Sequence, residues 1–394
     1  MKQRLSLPAL RFGWALTLLF VVFWTARGFS AEVDIAEQLA QLKAVGPKGK
    51  GHREAQQAAQ ALSNGGVDQL TPVLAGMDGA NELATNWFRG VVEAIAQKQI
   101  AAGQKLPVAD LEKFLATTTH SPRARRLAFE LIAGVDPAAE ARLIPLLLND
   151  PSLELRRDAV AHSAEQAGKI KDKVAAAAAY KQAFAAARDQ DQIKELAEKL
   201  KSLGEEVDLP AHYGFIVQWN LLAPFDNVND KGWNIAYPPE AGIDLAAEYE
   251  GQKGKIKWLP HTTADANGEV DLNVVLAKHK GAICYAATEF VVDKEQDADF
   301  RLGCINATKL WLNGELLAAN HVYHAGMNID QYIAHGKLKA GKNTILLKIA
   351  QNEQTEKWAQ DWKFQLRVCD SIGTAILSQD RPLGKKLAAV IKLD

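Results

Sequence analysis

The chain has 394 residues, of which 48% are hydrophobic and 24% charged, and this balance excludes wholesale disorder, collagen and a polytopic membrane protein. It has 46 basic and 47 acidic residues. Four of the basic residues and none of the acidic ones precede residue 31, so the rest carries 42 basic and 47 acidic residues, a net charge of about −5. We expect no nucleic-acid partner, because that role requires clustered Lys and Arg.

The N-terminus has the order of features typical of a secretory signal peptide. Three basic residues precede the apolar run Trp14–Trp24, and small residues follow near Ser30 and Ala31. The run has 11 residues, fewer than the ~20 of a membrane-spanning helix. We predict a signal peptide over residues 1–31 and a periplasmic or secreted protein with no stable membrane span after cleavage. An uncleaved anchor is the alternative.

Residues 32–206 are rich in alanine and show helical periodicity. The pairs Ser121-Pro122, Asp136-Pro137 and Asp150-Pro151 are 15 and 14 residues apart. Each places an N-capping residue before a proline suited to the first turn of a helix. The spacing predicts helices of about three turns joined by short connections.

The segment Leu143–Val160 resembles a HEAT repeat, with a proline inside its first helix, an Asp-Pro turn and a Leu-Arg-Arg-x-Ala pattern. His120–Phe129 resembles a second copy, in which Arg126 and Ala128 match residues 31 positions later. The resemblance implies a HEAT-like α-solenoid over residues 32–206. Stacked repeats share one continuous core, and such a scaffold would dock a protein partner.

From residue 211 to 377 β-branched runs and Gly/Asn turns replace the alanine-rich pattern. Six of the seven tryptophans beyond residue 31 lie here. Lys309–Leu317 contains Asn313-Gly314 between two apolar strands, which is a strong signal for a β-hairpin. Many short strands without helices between them predict an antiparallel β-sandwich. The predicted strands are 214–222, 255–259, 282–292, 300–305, 308–312, 315–318, 343–349 and 362–368.

The order of motifs in this half resembles the galactose-binding-like jelly roll of exported proteins of planctomycete-type bacteria, where it is often joined to helical repeats. The motifs include Trp219–Phe225, Tyr237–Glu240, Lys309–Gly314 and Ala340–Ile349. Related sandwiches carry an Asp-Asp-Gly calcium and sugar motif before the hairpin. Residues 303–308 read Gly-Cys-Ile-Asn-Ala-Thr, so the resemblance does not imply a calcium-dependent sugar site there.

Motifs for cofactors and metals are weak. The glycine-rich segment Gly46–Gly51 lacks the spacing of a phosphate-binding loop. The HxxH of His321 and His324 has too few ligands for zinc. Oxygen ligands for calcium are available at Asp226, Asn229 and Asp230, but a solvated turn is favoured. We therefore predict no cofactor.

The three cysteines have no CxxC spacing. Buried thiols are favoured, and a Cys284–Cys304 bridge is the alternative. GxSxG and HExxH are absent, and the acidic loop Glu295–Asp299 is interpreted as a solvated strand connection. No catalytic residue is predicted.

Aromatic and amide side chains in predicted loops are the main candidates for a ligand site, since aromatic rings stack on the apolar faces of sugars and loops gather binding residues. These residues are Trp233, Tyr237, His321, Tyr323, Gln354, Trp358 and Trp362. We predict a non-catalytic binding protein whose sandwich recognises carbohydrate or another envelope ligand. The alternatives are a polysaccharide-processing enzyme or its accessory, and a purely structural envelope protein. Residues 378–394 form a tail predicted as a short helix or strand.

Overall fold

The computed structural model describes residues 35–382. The predicted signal peptide, and the predicted tail from Leu383 onward, lie outside these residues. The protein is mixed α and β, and its main sheets are antiparallel. It divides into two compact units, one up to Pro107 and one from Val108 onward.

Helices make up most of residues 35–213. Within residues 35–382 no helix has the length and apolarity of a membrane span. The α-helices are α1 Ile35–Lys43, α2 His52–Leu62, α3 Leu70–Ala75, α4 Glu82–Ala101, α5 Val108–Ala116, α6 Pro122–Val135, α7 Ala139–Leu143, α8 Leu153–Gly168, α9 Lys173–Ala186, α10 Gln190–Ser202, α11 Leu209–Tyr213 and α12 Leu272–Val275.

Two buried arginines occupy equivalent positions in α6 and α8 of the second unit. Arg125 in α6 is 1% exposed and donates two hydrogen bonds, of 2.6 and 2.5 Å, to the carboxylate of Asp150. Arg156 in α8, 31 residues later, is also buried and donates to the carbonyl oxygens of Asp150 and Ala186. The Arg125 guanidinium therefore ties α6 to the residues that lead into α8, and the Arg156 guanidinium ties α8 to the end of α9.

The arginines that follow them repeat in the same way at the surface. Arg126 pairs with Asp158 of the next helix, α8. Arg157 in α8 pairs with Asp191 of α10, with a shortest distance of 2.5 Å. The match between residues 31 positions apart, seen in the sequence, thus corresponds to a repeated set of contacts between helices.

The strands begin directly after α11. They are β1 Gln218–Asp226, β2 Glu248–Gly251, β3 Gly254–Lys257, β4 Leu259–Thr262, β5 Val270–Asp271, β6 Ala282–Val292, β7 Gln296–Cys304, β8 Ala307–Leu312, β9 Glu315–Asn320, β10 Tyr332–Leu338, β11 Gly341–Gln351 and β12 Lys363–Cys369.

Two antiparallel sheets share one hydrophobic core. The larger has the order β4-β1-β6-β11-β8-β9 and the smaller the order β10-β7-β12-β5, with β2 and β3 forming a separate hairpin. Alternate residues of a strand point to opposite faces. In β6, Cys284 and Ala286 belong to the core that also contains Phe300 and Phe364 of the smaller sheet. The two sheets are therefore joined through their apolar faces.

The other face of the larger sheet is covered by the segment of residues 227–258. Ile283 and Tyr285, the β6 residues that alternate with those of the core, pack with Trp233 and Trp258 of this segment. Because both of its faces are covered, β6 is apolar along most of its length rather than alternating.

The sequence located most of these strands. Ala282–Val292 matches β6 residue for residue, and Asn313 and Gly314 both have positive φ, 52° and 84°, as a two-residue hairpin turn requires. Three strands, β2, β5 and β10, were missed. The segment of β10, Tyr332–Leu338, contains Gly336, His335 and Lys337 and lies at a sheet edge, and β2 and β5 have only four and two residues.

The domain boundaries near residue 211 remain a prediction. The change from helices to strands does fall there, between α11 and β1, but the second compact unit contains α5–α11 together with both sheets. Gly214 lies at this change with φ +83°, and a Cβ atom there would come within 2.4 Å of the Val368 carbonyl oxygen. Only glycine fits this close approach.

Candidate functional site

Several loops meet at one end of the larger sheet. The register pairs Ala282 at the start of β6 with Asp226 at the end of β1 and with Gln351 at the end of β11. In the same way Thr308 near the start of β8 pairs with Asn320 at the end of β9. The chain segments that follow β1, β9 and β11 therefore leave the larger sheet at the same end of its strands. We call this region the loop edge, comprising residues 227–233, 321–325 and 352–358.

Asp230 is the polar centre of the loop edge. Its carboxylate accepts a hydrogen bond of 2.6 Å from the Tyr323 hydroxyl and lies 2.7 Å from Nε2 of His321. The left-handed conformation of Asn229 and Asp230, with φ 56° and 58°, turns the chain here. The backbone N–H of Asn229 donates to the carboxylate of Glu353, which lies in the segment after β11. One short turn thus connects all three loops.

The buried side-chain amide of Asn227 stabilises this turn. Asn227 is fully buried and donates to the Tyr323 hydroxyl at 3.1 Å and to the Gln351 carbonyl at 3.2 Å. Burial, reinforced by Asp230, raises the pKa of Tyr323, so the hydroxyl stays protonated and acts as a donor. The loop edge is therefore held by a connected polar network.

The ring of Trp233 forms the inner wall of the loop edge. It stacks on His321 with the ring centroids 4.4 Å apart and the planes 5° apart. The ammonium group of Lys309 lies 4.6 Å from the indole centroid and donates to the Trp233 carbonyl at 2.9 Å. With 7% of its surface exposed, Trp233 supports the site and offers little surface to a ligand.

The outer rim carries the exposed groups. Trp358 is 63% exposed and stands perpendicular to His324, with the ring centroids 5.1 Å apart. Nε2 of His324 lies 3.1 Å from Oδ1 of Asn352, whose amide group donates to Gln354 at 2.9 Å. An exposed indole thus lies beside an imidazole and two carboxamides. Such a set offers one apolar stacking face and several hydrogen-bonding groups.

Five of the seven predicted site residues meet at the loop edge, namely Trp233, His321, Tyr323, Gln354 and Trp358. Tyr237 lies in the segment that covers the sheet, where its hydroxyl donates to the Asp226 carbonyl at 2.6 Å and its ring packs on Phe225. Trp362 requires a correction. It is fully buried in the core between the sheets, because it lies at the start of an inward-facing strand, and its ring is not accessible to a ligand.

The sequence did not indicate Asn227, His324, Asn352 or Glu353 as part of one site. Their contacts join residues that are 28 to 124 positions apart, and no local pattern records such pairings. Asp230 was considered only as a calcium ligand. The density of Asn and His in loops after apolar strands was the one available signal.

The described residues hold no group of three or more His, Cys, Asp or Glu side chains that could bind a metal. The oxygen atoms of Asp230 contact His321 and Tyr323, and Asp226 pairs with Lys231 at 2.6 Å. His321 and His324 have different partners, so the HxxH motif does not act as a unit.

All three cysteines are buried and unbridged, so the Cys284–Cys304 bridge is not formed. Burial raises the pKa of Cys304 to about 12 and that of Cys369 to about 11. The segment Glu295–Asp299, interpreted from the sequence as a solvated strand connection, lies in β7 from Gln296 onward, and Asp299 is buried. Glu295 pairs with Lys337 of β10, and Asp299 pairs with Arg301 of its own strand.

Comparisons with known proteins identify no family. No family model matches the chain, and no curated protein matches it. Among solved structures, two of the β-glucosidase from Kluyveromyces marxianus, one selenomethionine-labelled and one with glucose, align at 11% and 10% identity and TM-scores of 0.25 and 0.26. They cover 71% and 72% of this chain but 35% and 36% of their own.

The GH31 α-xylosidase from Xanthomonas citri aligns at 15% identity with a TM-score of 0.17, over 32% of this chain and 18% of its own. The chain thus spans about a third or less of the length of these structures. TM-scores this low define no common fold, and they assign no activity to the chain.

Proposed function

We propose that this protein is an exported, non-catalytic binding protein. Its two sheets would form a galactose-binding-like jelly-roll sandwich that recognises carbohydrate or another envelope ligand at the loop edge. Its helices would form a HEAT-like solenoid that docks a protein partner. The observation that carries the ligand-binding role is the exposed Trp358 ring beside His324, Asn352 and Gln354.

The chemistry of the loop edge favours binding over catalysis. An exposed indole supplies a flat apolar surface at low entropic cost, and carboxamides both donate and accept hydrogen bonds, as sugar hydroxyls require. The carboxylates of Asp226 and Asp230 are engaged by Lys231, His321 and Tyr323. The hydrogen bond from Lys231 lowers the pKa of Asp226, whereas a general acid needs a raised pKa.

The solenoid proposal is supported by the repeated contacts of the arginines. Arg125 and Arg126 in α6 and Arg156 and Arg157 in α8 occupy matching positions 31 residues apart and contact the following helices. A repeated contact of this kind is expected where helical pairs stack on one another.

The test is a glycan array that includes cell-envelope polysaccharides, with and without calcium. We expect binding that Trp358→Ala weakens at least about tenfold, the loss typical of a central aromatic contact. The matched control is Val274→Ala, which also truncates an exposed side chain of the β region, 80% exposed, and should bind as the unaltered protein does. Absence of binding across the array, or equal loss in both variants, would contradict the carbohydrate proposal.

A further inference from the structure

A groove lies on the first helical unit, between α2 and α4. It has a volume of about 720 Å³. The turn Pro47–Gly49 contributes Lys48 and Gly49 to its lining. Its lining residues are Val45, Gly46, Lys48, Gly49, His52, Ala59, Gln60, Ser63, Leu83, Asn86, Trp87, Gly90 and Val91.

On the α4 side, the lining of the groove includes the apolar side chains of Leu83, Trp87 and Val91. Leu83 is 43% exposed, and the half-buried ring of Trp87 stands edge-on to His52 with centroids 5.3 Å apart. Gly90 faces open space, with no atom within 4 Å of where a Cβ would be. A bulky apolar side chain entering here would cover exposed apolar surface, which favours association.

The lining of the groove includes the basic residues Lys48 and His52. The turn that contains Lys48 is held by a 3.0 Å hydrogen bond from the Gly46 amide to the Lys50 carbonyl. Lys48 lies within the turn with φ +58°, and His52 begins the next helix. Among the lining residues that the structure describes there is no acidic side chain. The groove therefore combines apolar side chains with basic ones that attract negative charge.

We propose that this groove binds a linear segment of a partner protein, in which a bulky apolar residue is adjacent to Asp or Glu. The apolar residue would lie against Leu83 and Trp87, and the carboxylate near Lys48. The proposal rests on the docking role of the helices and adds to it the position of the site and the chemistry of the segment. Charge complementarity selects the acidic segment, because like charges would be repelled.

The experiment uses the purified protein and a set of twelve-residue peptides. Each carries a photoreactive benzoylphenylalanine beside Leu or Phe, flanked by Asp and Glu in one series and by Lys and Arg in the other. Affinity is measured by fluorescence polarisation, and cross-linked sites are located by mass spectrometry. We expect acidic peptides to bind at least about tenfold tighter than basic ones and to cross-link to α2 or α4.

Two variants with matched controls test the assignment. Lys48→Glu should weaken the acidic peptides about tenfold or more, whereas Lys105→Glu, at an exposed position of the same unit, should not. Leu83→Asp should abolish binding, whereas Leu146→Asp, at a residue 78% exposed, should not. Circular dichroism establishes that each variant is folded.

Each result decides the proposal. Cross-links to α2 or α4 together with the two expected losses support it. Cross-links confined to other helices overturn the position of the site but leave the docking role of the helices in place. Equal binding of acidic and basic peptides, or no binding at about 1 mM peptide, overturns the proposal, and the glycan array tests the loop edge independently.

Discussion

A buried ion pair holds the segment that covers the larger sheet. Lys348 in β11 is fully buried, and its ammonium group donates to Glu240 at 2.8 Å and to the carbonyls of Ile235 and Trp233 at 2.7 and 3.3 Å. Glu240 also accepts from Tyr285. Burial lowers the pKa of Lys348, and Glu240 opposes this shift. The pair thus determines where Trp233 and the adjoining loop edge lie on the sheet.

Replacing Glu240 with Ala would leave a buried ammonium without its counter-ion. Breaking a buried pair on one side costs about 3–5 kcal/mol. Because two carbonyl groups still accept hydrogen bonds from Lys348, we expect a loss of about 3 kcal/mol in the free energy of unfolding. The combined change Lys348→Met with Glu240→Leu removes both charges and should cost clearly less than the two single changes added together.

Urea unfolding at pH 7, followed by tryptophan fluorescence, measures these changes, since most tryptophans lie in the β region. Glu289→Ala is the matched control, because it breaks an exposed pair with Lys342, a lysine of the same strand as Lys348, and should leave the midpoint nearly unchanged. A loss below about 1 kcal/mol for Glu240→Ala, or strict additivity in the double variant, would refute the proposed role of the pair.

Three further outcomes are expected. Burial and, to a smaller extent, the charge of Arg188 lower the pKa of His212 to about 4. Between about pH 6.5 and pH 4 the unfolded chain therefore binds more protons than the folded protein. As the pH is lowered through this range, the free energy of unfolding should fall by up to about 3 kcal/mol. His212→Gln should flatten this dependence in urea titrations, and an unchanged slope would refute it. Asp150→Ala, which leaves Arg125 buried and unpaired, should lower the free energy of unfolding by about 3 kcal/mol or more, and a thermal transition equal to that of the unaltered protein would contradict this. The buried thiols should react with Ellman's reagent only in denaturant, whereas reaction in the native protein would show that they are accessible.

Local sequence was sufficient to predict much of the secondary structure. Asn313-Gly314 predicted its hairpin because two consecutive positive φ angles favour those two residues. The apolar run Ala282–Val292 predicted β6 because a strand covered on both faces has no polar alternation. These features depend on neighbours in the chain, and so the sequence by itself determined them.

The candidate site could be predicted only in part, for a physical reason. The sequence placed Trp233 and Trp358 in or beside loops, and the structure brings these two loops to the same end of the larger sheet because the strands before them, β1 and β11, end there. The sequence could not separate Trp358, 63% exposed, from Trp362, fully buried, since Trp358 lies in the predicted loop and Trp362 only four residues later, at the start of the predicted strand 362–368. Whether a side chain is buried depends on the direction in which it points and on the elements that pack against it, and local sequence does not specify these.

The sequence by itself determined the change from helices to strands, most of the strands and the turn at Asn313-Gly314, because each follows from local propensity and periodicity. Only the tertiary structure decided that Asp230 meets His321 and Tyr323, and that Lys348 lies buried against Glu240, 108 residues away. These contacts depend on strand register across the whole sheet. A charged residue in a strand has the same local sequence pattern whether it is solvated or paired in the interior.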